Sequence, residues 1–260
     1  MDLTNSSLLL QIAQPPINVL TQTVITSIVA ILSIWFTGWN YLRIENFKNE
    51  SMDLQRRQQA YSAFIGRKYS LIQSTHSFFT SSIQMIYYNY VYNLDSIYYR
   101  SKGCSSQEVS QTLADASIFK LAEDEIRANK ELLQKVAQDK MHLWEAIGLI
   151  QVLFPKTDEL TSLTNKFKKK EKDIEKFHNS IKMDMKIDMP ELPSLLDQWY
   201  SAKNASITDW KNINQAETEN VIKDLESALE NLINYLDNEI NKKEVQESRA
   251  IQWWRFWRRR

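Results

Sequence analysis

The chain has 260 residues, with 32 Lys and Arg against 32 Asp and Glu, so no global basic field argues for nucleic acid, and no nucleic-acid partner is expected. Only 4 Gly and 5 Pro are present, too few turn formers for a many-stranded fold; the composition predicts an all-α protein. Cys104 is the one cysteine and has no partner for an intramolecular disulfide, which fits a reducing compartment.

The first segment, residues 1–16, reads as a short tail. From Leu3 to Leu42 there is no Asp, Glu, Lys or Arg, and within that window Ile17 to Trp39 is predominantly apolar. A helix of about 20 such residues spans a hydrocarbon core roughly 30 Å thick, so residues 17–39 are predicted to be a single transmembrane helix. A buried core helix rarely needs so long an uncharged stretch. A cleaved signal peptide would want basic residues ahead of the run, and none is there. Trp35, Trp39 and Tyr41 cluster at its end and Arg43 follows, the residue types that settle at a headgroup layer. Arg43, Lys48, Arg56 and Arg57 all follow the run and nothing basic precedes it. The bias places the N-terminus outside and the rest in the cytoplasm, at the plasma or inner membrane. Thr23/Ser27 and Thr26/Ala30 are small-xxx-small pairs, a weak signal for self-association.

Residues 40–250 read as a cytoplasmic bundle of about four long arms, antiparallel and coiled-coil-like. Arm one continues to about Arg100 and contains an aromatic-rich stretch from Phe78 to Tyr99. Gly103 supplies a stop, and Ser105 with Glu108 makes a capping box. Arm two is predicted from Ser106 to Phe154 as one helix. Its seam is Ala122, Ile126, Leu133, Val136, Leu143, Ile147, Ile150 and Phe154, with Asn129 and Lys140 in the gaps. Pro155 ends it and Thr157 caps the next arm. Arm three is predicted from Asp158 to Ile187, with Leu160, Leu163, Phe167, Ile174, Phe177 and Ile181 in register and Lys170 in the gap. Pro190 and Pro193 break the chain. Arm four is predicted from Glu191 onward, with a kink near Asn204 and its best heptads from Ile222 to Ile240. Four alternating arms return the C-terminus toward the bilayer.

Residues 251–260 form a basic-aromatic segment. Trp253, Trp254, Phe256 and Trp257 interleave with Arg255, Arg258, Arg259 and Arg260. Trp favours the interface, and each Arg near an anionic leaflet contributes about 1 kcal/mol, so the segment reads as a second, peripheral membrane contact.

Nothing in the chain reads as chemistry. The four glycines are too scattered for a phosphate loop, and no nucleophile stands with a matching base. His142 and Glu145 are one turn apart, a spacing used in bundle metal sites, but no second such pair is present; the pair reads as a surface ion pair. The lysines from Lys166 to Lys176 are interrupted by Glu171, Asp173 and Glu175 and read as a solvated face. No catalytic residue, metal ligand or cofactor is expected. The partners implied are membrane lipid and either another protein or a second copy of the chain. The reading is a membrane-anchored scaffold or interaction module. Its rivals are a transmembrane signalling relay, a membrane-perturbing toxin or lysis protein, and, least supported, an enzyme.

Overall fold

The computed structural model describes the backbone of residues 17–115, 117–188 and 193–258, and the side chains of residues 27–114, 117, 119–188 and 194–245. Among them are five α-helices and no strand: α1 (Ile17–Ser101), α2 (Ser106–Asp115), α3 (Ile118–Leu153), α4 (Asp158–Ser180) and α5 (Leu196–Arg258), with a 3-10 turn at Pro193–Leu195. The chain divides into two compact units, residues 1–55 and 56–260.

The second unit is an antiparallel helical bundle, and its cross-helix bonds give the directions. Along α1 and α5, Gln58 bonds Glu244, Lys68 bonds Glu230 and Asp95 bonds Tyr200. Along α4 and α5, Thr157 meets Tyr235 and Lys170 meets Asp224. Along α1 and α3, Ser70 meets Asp139 and Ser81 meets Glu125. Each of these pairs of helices runs in opposite senses, and α5 reaches Gln58 at Glu244.

The local signals that start and stop these helices act as their chemistry dictates. Gly103 has φ +87, the left-handed turn that only glycine adopts without cost. The capping box closes reciprocally: the Ser105 N–H donates to Glu108 Oε2 at 2.7 Å, and the Glu108 N–H donates to Ser105 Oγ at 3.3 Å. Those bonds also hold the Glu108 carboxyl below its ordinary range. Phe154 turns extended ahead of Pro155, and Thr157 Oγ1 accepts from the Leu160 N–H at 3.1 Å to open α4.

The core runs along the bundle: Phe64, Leu143, Ile147, Ile150, Leu229 and Leu236 are buried toward one end, and two further apolar clusters follow. Phe78, Phe79, Ile83, Phe177, Ile181 and Ile222 form one, where α1, α4 and α5 meet. Leu94, Met183 and Ile207 form the other, ringed by Tyr87, Tyr90, Trp199 and Trp210. The residues that interrupt the heptads are the polar ties between helices. Lys170 Nζ lies 2.5 Å from Asp224, Lys140 bonds Glu171 and Glu175, and Asn129 Nδ2 donates to Ser82 Oγ at 2.7 Å.

Four expectations are corrected. Arm two is two helices, because Ser117 stands in the left-handed region at φ 58, ψ 5 and breaks the α-helical ladder. Two of its seam residues, Ile126 and Leu133, are exposed, while Ala122, Asn129 and Val136 are half-buried and Leu143, Ile147, Ile150 and Phe154 buried; Glu125 and Asn129 bond α1. Arm three stops at Ser180, not Ile187. The next residues, Ile181-Lys182-Met183-Asp184-Met185-Lys186-Ile187-Asp188, form an extended strap. Alternation decides it: Ile181 and Met183 are buried, while Lys182, Asp184, Lys186 and Asp188 are exposed. A helix would carry half of those charges into the core. Finally, α5 begins at Leu196 and passes Asn204 as unbroken helix.

The strap explains the tyrosines of α1. An extended chain with no neighbouring strand leaves its carbonyls unpaired, and each needs a donor. Tyr90 donates its hydroxyl to the Met183 carbonyl, Trp210 Nε1 donates to Lys182 O at 3.1 Å, and Lys203 Nζ donates to Lys186 O at 2.8 Å. Aromatic residues with polar tips fill the space that α4 has vacated and satisfy the backbone in the same move.

Candidate functional site

In the first unit, every residue from Ser27 to Trp39 is exposed. Ile28, Val29, Ile31, Leu32, Ile34, Trp35 and Phe36 point around most of the helix circumference, and none is covered by protein. The hydroxyls of this stretch are turned away from the surroundings: Ser33 Oγ donates to Val29 O and Thr37 Oγ1 to Ser33 O, both at 2.7 Å. At its end the side chains stack as a ladder. The rings of Trp35 and Trp39 lie 6.4 Å apart and 3° from parallel, and the Arg43 guanidinium sits 5.5 Å from the Trp39 ring. Tyr41, two residues from both Trp39 and Arg43, is on the opposite side of the helix and 66% exposed. The geometry thus brings Trp35, Trp39 and Arg43 together and leaves Tyr41 apart.

Among the described residues no helix is long and apolar enough to cross a membrane. Of the run Ile17–Trp39, side chains are described only from Ser27, and Asn40 and Arg43 come after its end. The C-terminal group, Trp253 to Arg260, also lies outside the described side chains.

The second unit carries a half-open cleft of about 340 Å³ between α1, α3, α4 and α5. Phe78, Phe79, Val136, Phe167, Ile174 and Leu225 line it. At its rim Lys140 Nζ lies 3.0 Å from Glu171 and 2.8 Å from Glu175. Burial pulls the Lys140 ammonium down, but the bonds to Glu175 and Glu171 outweigh it and raise the group; the same Lys140 bond holds Glu175 low. Lys140 and Glu175 therefore stay ionised across neutral pH. His178, also on the rim, rests its ring 4.9 Å from that of Phe78. The cleft is lined mainly by apolar side chains and can hold an apolar group; Lys140, Glu171 and Glu175 at its rim are committed to one another.

Three polar groups inside the bundle were not legible as such in the sequence. Lys68 is wholly buried and ion-paired to Glu230, with Glu226 at 4.0 Å. Asp95 is buried and accepts from the Tyr200 hydroxyl at 2.6 Å; burial raises its carboxyl. Asp139 accepts from Ser70 Oγ at 2.7 Å through one oxygen, and the other has no partner. Each tie lies in the interior. His142 and Glu145 form the exposed pair their spacing suggests, at 3.2 Å. Among the described residues no group of three or more His, Cys, Asp or Glu is placed to hold a metal ion.

No protein-family model matches the chain, and neither a curated protein nor a solved structure is similar to it.

Proposed function

We propose that the chain is a single-pass membrane protein, N-terminus outside, whose bundle acts at the inner face as a scaffold or interaction module. One observation carries the reading: the helix stretch from Ser27 to Trp39 is apolar around most of its circumference and no described residue covers it. In water, exposing so many large apolar side chains is unfavourable by about 25 cal/mol per Å²; in lipid the same surface is matched. The Trp35–Trp39–Arg43 ladder has the composition of an interfacial belt, and the basic residues after it support the cytoplasmic side for the bundle. The C-terminal Trp and Arg residues would add a second contact with the same leaflet. The bundle's polar groups hold helices together, which supports binding over chemistry.

A signalling relay is the second reading. It is favoured by the continuity of α1, one unbroken helix from Ile17 to Ser101 that carries both the apolar run and core residues of the bundle.

The test is alkaline carbonate extraction and protease protection of the full chain in membranes. The reading expects retention in the pellet and cleavage of the bundle from the cytoplasmic side only. Replacing Ile31 and Ile34 by Asp releases the chain. Extraction of the unaltered chain by carbonate overturns the reading.

A further inference from the structure

We propose that two copies of the chain pair through the first half of α3, antiparallel about Ile126, so that Phe119 of each lies against Leu133 of the other. The inference deepens the binding reading above, on which it rests, by naming the partner.

Two columns of α3 carry it. Phe119, Ile126, Leu133 and Lys140 recur every seven residues, and Glu123, Lys130, Ala137 and Trp144 form the column beside them. Farther along the helix this side is covered by α4. Lys140 Nζ bonds Glu175 at 2.8 Å, Trp144 Nε1 donates to Glu171 at 3.1 Å, and the Trp144 ring lies 5.3 Å from Phe167. But α4 stops at Ser180, and the strap then runs to Tyr90 of α1 and Trp210 of α5. The same side of α3 is left about half exposed from Leu133 back to Phe119: Phe119, whose ring lies 5.9 Å from that of Tyr92, is 51% exposed, Ile126 56% and Leu133, at the edge of the cleft, 50%. The open face is the continuation of a slot that a helix fills elsewhere.

The occupant must satisfy three conditions. It runs antiparallel to α3, as α4 does. It presents large apolar side chains seven residues apart. It brings an acid to Lys130 and a base to Glu123, which make no ion pair among the described residues. A second α3 meets all three, because the segment is self-complementary. Turned end for end about Ile126, it sets Ile126 on its own counterpart, Phe119 on Leu133, and Glu123 beside Lys130, twice by symmetry. A parallel copy would put Glu123 beside Glu123 and Lys130 beside Lys130. The patch spans roughly 21 Å of helix, the rise of fourteen residues, which suits a reversible dimer rather than an obligate one.

The test uses the full chain with Cys104→Ser, in mild detergent, under mild oxidation. Ile126→Cys should form a disulfide-linked dimer. Phe119→Cys and Leu133→Cys should each stay unlinked alone and link when mixed. By sedimentation, Glu123→Lys or Lys130→Glu should weaken the dimer by roughly tenfold, and the double exchange should restore it. These variants are exposed and leave the core intact, which circular dichroism verifies. A chain that is monomeric at every concentration, with the slot then left to some other protein, overturns the proposal. So does a Phe119→Cys homodimer, the mark of parallel pairing. Loss of membrane retention in the carbonate assay would leave these crosslinks unchanged, so the two readings fail separately.

Discussion

Lys68 is buried completely while its partner Glu230 keeps 45% of its side chain in solvent. The pair is therefore asymmetric. Removing the acids leaves an ammonium with no water and no counter-ion, whereas removing the lysine leaves carboxylates that solvent can reach. The double variant Glu226→Gln/Glu230→Gln should lose about 3–5 kcal/mol in chemical denaturation, and Lys68→Met should lose far less. Equal losses would show that water reaches Lys68.

Asp95 gives a pH signature. Burial raises its carboxyl above the ordinary range. A raised acid contributes its full stability below its unfolded value, near pH 4, and loses it as pH rises through the folded value. Asp95→Asn keeps an acceptor for Tyr200 and removes the cost. It should raise the melting temperature at pH 7 by roughly 2–4 °C, the shift that about 1 kcal/mol produces at this size, and leave it unchanged at pH 4.

Asp197 has the opposite sign. The Tyr98 hydroxyl at 2.6 Å and Lys102 at 2.9 Å hold its carboxyl low. Its contribution is present at neutral pH and fades as pH falls below the ordinary carboxylate range. Asp197→Asn should thus lower the midpoint at pH 7 and converge with the parent chain in acid, as scanning calorimetry over pH 2–7 would record.

The strap depends on donors that lie far away in sequence. Tyr90→Phe keeps the ring and deletes the bond to Met183 O, a loss of about 1 kcal/mol that falls on the strap locally. Trypsin should then cut after Lys182 and Lys186 several times faster, with cleavage elsewhere unchanged.

Two left-handed residues separate α1, α2 and α3. Gly103→Ala should cost about 1 kcal/mol, since φ +87 strains a side chain. Ser117→Gly should gain a fraction of that. Urea midpoints of the two variants should move in opposite directions.

The helices were legible because their signals are local: a glycine stop, a capping box, a threonine ahead of two acids, a heptad. The strap was equally written in the chain, as eight residues alternating apolar and charged, but it was subsumed into the heptads that precede it. The break at Ser117 has no such signal, for neither Gly nor Pro marks it. The buried Lys68 and Asp95 were not legible because a helix surface does not reveal which charges its neighbours will cover. The outward turn of Ile126 and Leu133 is set by where α4 ends, a fact held by residues more than forty positions away.

The first half of α3 meets α1 through Ser81 with Glu125, Ser82 with Asn129 and one ring contact, Tyr92 with Phe119 at 5.9 Å. Such bonds are exchanged for bonds to water at little net change, whereas the apolar contacts of Leu143, Ile147 and Ile150 have no aqueous equivalent. One helix thus has two strengths of attachment along its length. Its amides before Asn129 should therefore exchange with solvent faster than those from Leu143 to Ile150, a difference that hydrogen exchange would record.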